Sequence, residues 1–182
     1  MSTLRQRPPL PIRLSRATGT GPTALAAFDA ALRGAGTANF NLVRLSSVIP
    51  PASTVAVLDR PLAPRGVWGD KLFVVYAEWR AEEPGDEAWA GIGWLQDPTT
   101  GRGVFVEHEG PTEAGVRSDI AASLEALRAG RPGVPFGPQH TVVQGATCQD
   151  QPVCALVIAV YEAETWRRDG GAVDEAVCGA GR

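Results

Sequence analysis

The sequence predicts an α+β fold with helices packed on sheet faces, and three observations carry that expectation. Apolar and polar residues alternate in short runs along most of the chain, the period of half-buried strands. Only two stretches have helical spacing, and they do not alternate regularly with the strands, as a parallel α/β sheet would require. At 182 residues with 44% apolar content, the chain suits one domain with a substantial core.

Taken in order, 11–16 alternates through Ile12 and Leu14 as a strand and runs into the turn Gly19-Thr20-Gly21-Pro22. Thr23 is placed to cap a helix over 24–33, which Gly34 and Gly36 terminate. Leu25, Phe28 and Leu32 are expected on its buried face. A second strand, 41–46, leads into Ser47-Val48-Ile49-Pro50-Pro51. Further strands are expected at 54–58, 72–79, 88–95, 103–108, 140–144 and 153–161. A long amphipathic helix interrupts them at 113–129, with Val116, Ile120, Leu124 and Leu127 on one face. The domain is expected to span 1–164, and the polar, Gly/Ala-rich residues 165–182 to form a flexible tail.

Composition excludes several classes. Net charge is −3 with scattered basic residues, so no nucleic-acid footprint is expected. No apolar run approaches the roughly 20 residues that span a bilayer. Prolines follow the basic N-terminus where a secretory signal would need an apolar stretch. Cys148, Cys154 and Cys178 are odd in number and lack zinc-site spacing, which reads as reduced thiols in a cytoplasmic protein with no metal. Lys71 is the only lysine, so a pyridoxal phosphate Schiff base would have one possible anchor.

Three segments hold candidate chemistry. Thr18–Thr23 is a glycine-rich turn opening a helix, where backbone amides can hold phosphate, but it lacks a complete phosphate-binding motif and reads first as a structural turn. The paired serines Ser46 and Ser47 end a strand before two prolines, which serves a turn equally well. The chemical alternative is that Ser47 attacks the carbonyl of Ser46 from a strained backbone. An ester would form, elimination would break it, and a pyruvoyl group would remain. In Val106-Glu107-His108-Glu109-Gly110, period two puts both glutamates on one face. Two close carboxylates raise each other's proton affinity, as a general acid requires, although solvated charges at a strand end give the same pattern.

Together these segments resemble the pyruvoyl-dependent arginine decarboxylase family. The likeness runs from about residue 11 to 162 through Gly19-Thr20-Gly21, Ala27-Phe28-Asp29-Ala30-Ala31-Leu32, Ala35-Gly36, Glu107 with Glu109-Gly110, and His140-Thr141-Val142. Its most specific part is Asn41-Leu42-Val43-Arg44-Leu45-Ser46-Ser47-Val48-Ile49-Pro50-Pro51. The resemblance implies a four-layer αββα sandwich, assembled as homotrimers or dimers of trimers with sites at subunit interfaces. It implies self-cleavage between Ser46 and Ser47 into a β chain, 1–46, and an α chain, 47–182, headed by a covalent pyruvoyl group from Ser47. Glu107 matches the family's general acid, Asn41 a residue beside the pyruvoyl group, and Asp29 the carboxylate that receives the substrate guanidinium. The implied reaction takes L-arginine to agmatine and CO2 through a Schiff base, serving polyamine biosynthesis or acid resistance. His108 departs from the aromatic residue expected there. Trp79, Trp89, Trp94 and the 131–138 stretch match no family feature. The alternatives are a pyruvoyl enzyme for another amino acid such as histidine, an uncleaved interaction module, and a nucleotide-binding domain built on Thr18–Thr23.

Overall fold

The computed structural model describes residues 9–167. Nine strands and two helices succeed one another as β1 (Leu10–Thr20), α1 (Ala24–Ala35), β2 (Asn41–Arg44), β3 (Val48–Ile49), β4 (Ser53–Val57), β5 (Lys71–Ala81), β6 (Glu87–Gln96), β7 (Gly103–Gly110), α2 (Glu113–Ala129), β8 (His140–Thr147) and β9 (Val153–Glu164). The first sheet has the order β2-β5-β9-β1-β4 and the second β3-β7-β6-β8. Three apolar cores separate four layers. One, with Ile12, Leu14, Ile92, Phe105 and Val157, fills the space between the sheets. A second lies between α1 and the first sheet. The third, with Ile120, Leu124 and Val106, joins α2 to the second sheet. The architecture is therefore an αββα sandwich.

Local chemistry explains the helix ends. The Thr23 hydroxyl accepts from Ala26 N at 3.1 Å, and Thr112 accepts from Gly115 N at 3.2 Å, so each helix has one otherwise orphaned amide satisfied. Helix α1 ends at Gly36, whose φ of 76° closes the last turn in a conformation cheap for glycine.

The buried face of α1 differs from the expected one. Ala27, Ala31 and Ala35 are buried, Phe28 and Leu32 are half-buried, and Leu25 is 68% exposed. The cause lies in β1. Gly19 and Thr20 belong to that strand, not to a turn, and a Cβ on Gly19 would sit 2.2 Å from Ala27 O and 2.3 Å from Ala31 N. The helix thus approaches the strand so closely that only alanines fit between them. Gly19→Ala forces two backbones apart, a change costlier than ordinary overpacking of roughly 1–3 kcal/mol. At about 3 kcal/mol the expected fall in Tm is roughly 6–12 °C, measurable by thermal unfolding. An unchanged Tm would refute the close-approach role.

The glycine-rich segment has no open cradle for phosphate. Gly21 N donates to Pro152 O at 3.1 Å, and Gly21 is buried. Lys71 opens β5, pairs with Glu164 at 3.0 Å and lies over the Trp166 ring. Thr165 Oγ1 donates to Asp70 Oδ2 at 3.1 Å and Trp166 Nε1 to Gly69 O at 2.8 Å, so the fixed structure continues past residue 164. The rest of the expected tail, 168–182, lies outside the described residues, as does Cys178. Cys148 and Cys154 are buried free thiols.

Candidate active site

The stretch from Asn41 to Ile49 passes from one sheet to the other. β2 runs parallel to β5 in the first sheet, and Leu45 N still donates to Val74 O at 2.9 Å. Two residues later the Ser47 carbonyl accepts from Phe105 N at 2.8 Å in the second sheet, and β3 pairs with β7. Between these anchors only Ser46 is free of either ladder. Val48 O accepts from the Tyr161 hydroxyl at 3.1 Å, and Ile49 is buried, so the exit is fixed too.

The crossing forces Ser47 to a φ of 66°. For a residue with a Cβ this left-handed conformation costs roughly 1–3 kcal/mol and persists only when its surroundings over-determine it. The two ladders and the Tyr161 bond provide that determination. The strain therefore sits on the residue after the Ser46–Ser47 peptide bond.

Glu107 lies on β7 two residues beyond Phe105, so both side chains point into the space between the sheets. The Ser47 hydroxyl lies 2.8 Å from Glu107 Oε1 and 2.7 Å from Oε2. Sixty residues of sequence separation close into one contact. Burial holds the Glu107 carboxyl above the usual carboxylate range; the Ser47 hydroxyl and the Arg44 charge pull the other way. Glu109, expected from the sequence to raise it, contributes least, because Glu109 is exposed. Desolvation rather than like-charge repulsion makes Glu107 a weak acid. His108 points to the opposite face, where its Nε2 lies 2.8 Å from the Ser123 hydroxyl of α2.

The other candidates are not in contact with this centre. Asn41 stands at the far end of β2 from Ser47, with its amide donating to Gly69 O at 2.5 Å. Asp29 is exposed on α1 and pairs with Arg33. Sequence reasoning gives Arg44 no role, yet its charge acts on Glu107 from the α1 side of the first sheet, where it shares a face with Val74 and Tyr76. Its Nη2 donates to Tyr76 O at 2.9 Å and its guanidinium lies 4.8 Å from the Tyr76 ring centre. The signal available in the sequence was its place in the Asn41–Pro51 motif. Among the described residues no three His, Cys, Asp or Glu side chains converge as metal ligands.

A strained serine thus rests on a half-buried carboxyl group between the two sheets of an αββα sandwich. The sequence profile of the pyruvoyl-dependent arginine decarboxylase family matches residues 11–165. The chain belongs to the pyruvoyl-dependent arginine decarboxylase family. It is 44% identical over 98 residues to a pyruvoyl-dependent arginine decarboxylase of Halobacterium salinarum, covering 53% of this chain and 58% of that one. A Thermococcus kodakarensis protein of the same description is 30% identical over 149 residues, covering 81% and 91%. A solved structure of a pyruvoyl-dependent histidine decarboxylase at pH 8 aligns with a TM-score of 0.40 and 18% identity, covering 76% of this chain and 61% of that one.

Proposed function

We propose that the chain cuts its own backbone between Ser46 and Ser47 and, in its pyruvoyl form, decarboxylates L-arginine to agmatine and CO2. The observation that carries this reading is Ser47 itself, strained at a φ of 66° with its hydroxyl on both oxygens of a half-buried glutamate. Relatives described as arginine decarboxylases support the choice of substrate.

The residues divide the work. Glu107 can take the Ser47 hydroxyl proton as that oxygen adds to the Ser46 carbonyl carbon, and the shift from amide to ester releases backbone strain. Elimination and hydrolysis then leave the new N-terminus without its nitrogen, which departs as ammonia. When formed, a pyruvoyl group would supply a carbonyl for the substrate amine and a sink for the electron pair released with CO2. Phe105 N keeps hold of the Ser47 carbonyl next to that group, which fixes its orientation. Glu107, now without the Ser47 hydroxyl, supplies the proton that replaces CO2 at the substrate α-carbon. A carboxyl group whose proton affinity is raised by burial suits that task.

Asn41 and Asp29 do not meet the Ser47 of their own chain, and both are exposed. In a homotrimer with sites at its interfaces, they would serve the Ser47 of a neighbouring copy. Asp29 would exchange Arg33 for the substrate guanidinium, a planar partner suited to two parallel hydrogen bonds.

Denaturing intact-mass analysis of the purified protein, followed by assay on arginine, histidine, lysine and ornithine, tests the proposal. The expected result is two fragments divided after Ser46, the larger lighter by one ammonia than plain hydrolysis gives, with agmatine formed from arginine. An intact chain that stays intact would leave an uncleaved homologue.

A further inference from the structure

The cleavage proposed above creates an anion, and an unpaired cation stands two residues from it. Arg44 ends β2, Leu45 still donates to Val74 O of β5, and Ser46 follows directly on this fixed strand end. Arg44 and Ser46 are exposed. Among the described residues no carboxylate lies within ion-pair distance of Arg44. Its Nη2 is spent on Tyr76 O, and the Tyr76 ring supports the guanidinium plane. The remaining N–H donors have no protein acceptor in that region. The guanidinium is thus oriented and close enough for Glu107 to feel its charge, while its capacity for a carboxylate is unused.

We infer that Arg44 receives the Ser46 carboxylate as it leaves Ser47 in the elimination step, making Arg44 a positioning and charge-stabilising residue of self-cleavage. This rests on the self-cleavage reading. In the ester, the Ser46 carbonyl carbon is bonded to the former Ser47 hydroxyl oxygen. A base removes the Ser47 α-proton, that electron pair becomes the Cα–Cβ double bond, and the Cβ–O bond breaks. Its electron pair leaves on the oxygen, which becomes one of the two Ser46 carboxylate oxygens. Negative charge therefore develops first on the oxygen that began as the Ser47 hydroxyl against Glu107, at the end of the chain segment that Arg44 anchors. A fixed guanidinium stabilises that leaving group where a second carboxyl group would otherwise repel it. After cleavage the same pair holds the end of the β chain, and the Arg44 charge no longer acts on Glu107 alone. The new pairing weakens the charge that had held the Glu107 proton affinity down, which favours its later use as an acid.

The test is a cleavage time course of Arg44→Gln, Arg44→Lys and the unaltered full chain, followed by denaturing mass spectrometry with and without hydroxylamine. Hydroxylamine opens an ester and releases an α chain that still begins with serine; it leaves the amide alone. Arg44→Gln should slow appearance of the pyruvoyl chain at least about tenfold and accumulate the hydroxylamine-labile ester. Arg44→Lys should restore part of the rate. Cleavage of Arg44→Gln at the unaltered rate would overturn the inference. So would an Arg44→Gln chain held entirely as the amide, since Arg44 would then act on folding or on the first step. If the unaltered chain never cleaves, the self-cleavage reading fails and takes this inference with it.

Discussion

Glu107→Gln should lower kcat for decarboxylation by about 10²–10⁴-fold, the usual contribution of a positioned acid, with a much smaller change in KM. The reasoning rests on desolvation. Half-burial between the sheets holds the Glu107 carboxyl above the usual carboxylate range, so its neutral, proton-donating form persists to higher pH than that of an exposed glutamate. Because the acid must be protonated, kcat should fall as pH rises through that raised value, and the fall should be absent from the residual activity of the glutamine variant. Glutamine keeps the size of the side chain and can still accept from Ser47, so the variant should fold. It should also cleave more slowly, since glutamine cannot take the hydroxyl proton. Fully cleaved Glu107→Gln protein is therefore the sample to assay, with its pyruvoyl content checked by mass. Native turnover from that sample would remove Glu107 from the reaction.

Ser47→Ala should abolish both cleavage and activity, leaving one full-length chain by mass and no detectable product. Ser46→Ala should cleave and turn over, because position 46 contributes its carbonyl and no side-chain atom. The contrast follows from the geometry: the left-handed φ and the two Glu107 contacts belong to Ser47, while Ser46 is exposed and has no side-chain partner among the described residues. Removing the Ser47 hydroxyl also takes away a hydrogen bond that lowers the Glu107 proton affinity, so the carboxyl should titrate higher still in Ser47→Ala. Cleavage after residue 46 in Ser47→Ala, or loss of cleavage in Ser46→Ala, would reverse the roles of the two serines. Either would sink the mechanism as drawn.

Local sequence was sufficient for some elements. Helix α2 falls on 113–129 as expected, since apolar residues three and four apart along one face are a short-range signal. Most strands were legible from alternation, though several extend a few residues further than expected. Strand β3 was not, because two residues have no period. The face of α1 was misread because Leu25, Phe28 and Leu32 make a plausible stripe by themselves. What excludes that stripe is a glycine on another strand.

The candidate site divides in the same way. The sequence by itself determined the serine pair, the two prolines after it and the acidic strand end, because reactive groups and backbone-restricting residues are written in residue type. It also determined that Glu107 and His108 face opposite ways, since a strand alternates. Only the tertiary structure decided that the Asn41–Pro51 stretch crosses between two sheets, and that this crossing twists Ser47 to positive φ. It alone placed Glu107 on Ser47 and the Arg44 guanidinium on Tyr76, with Asn41 and Asp29 elsewhere. Strain and desolvation depend on which distant strands hold a residue and exclude water from it. Neither is a property of the residue's neighbours in the chain.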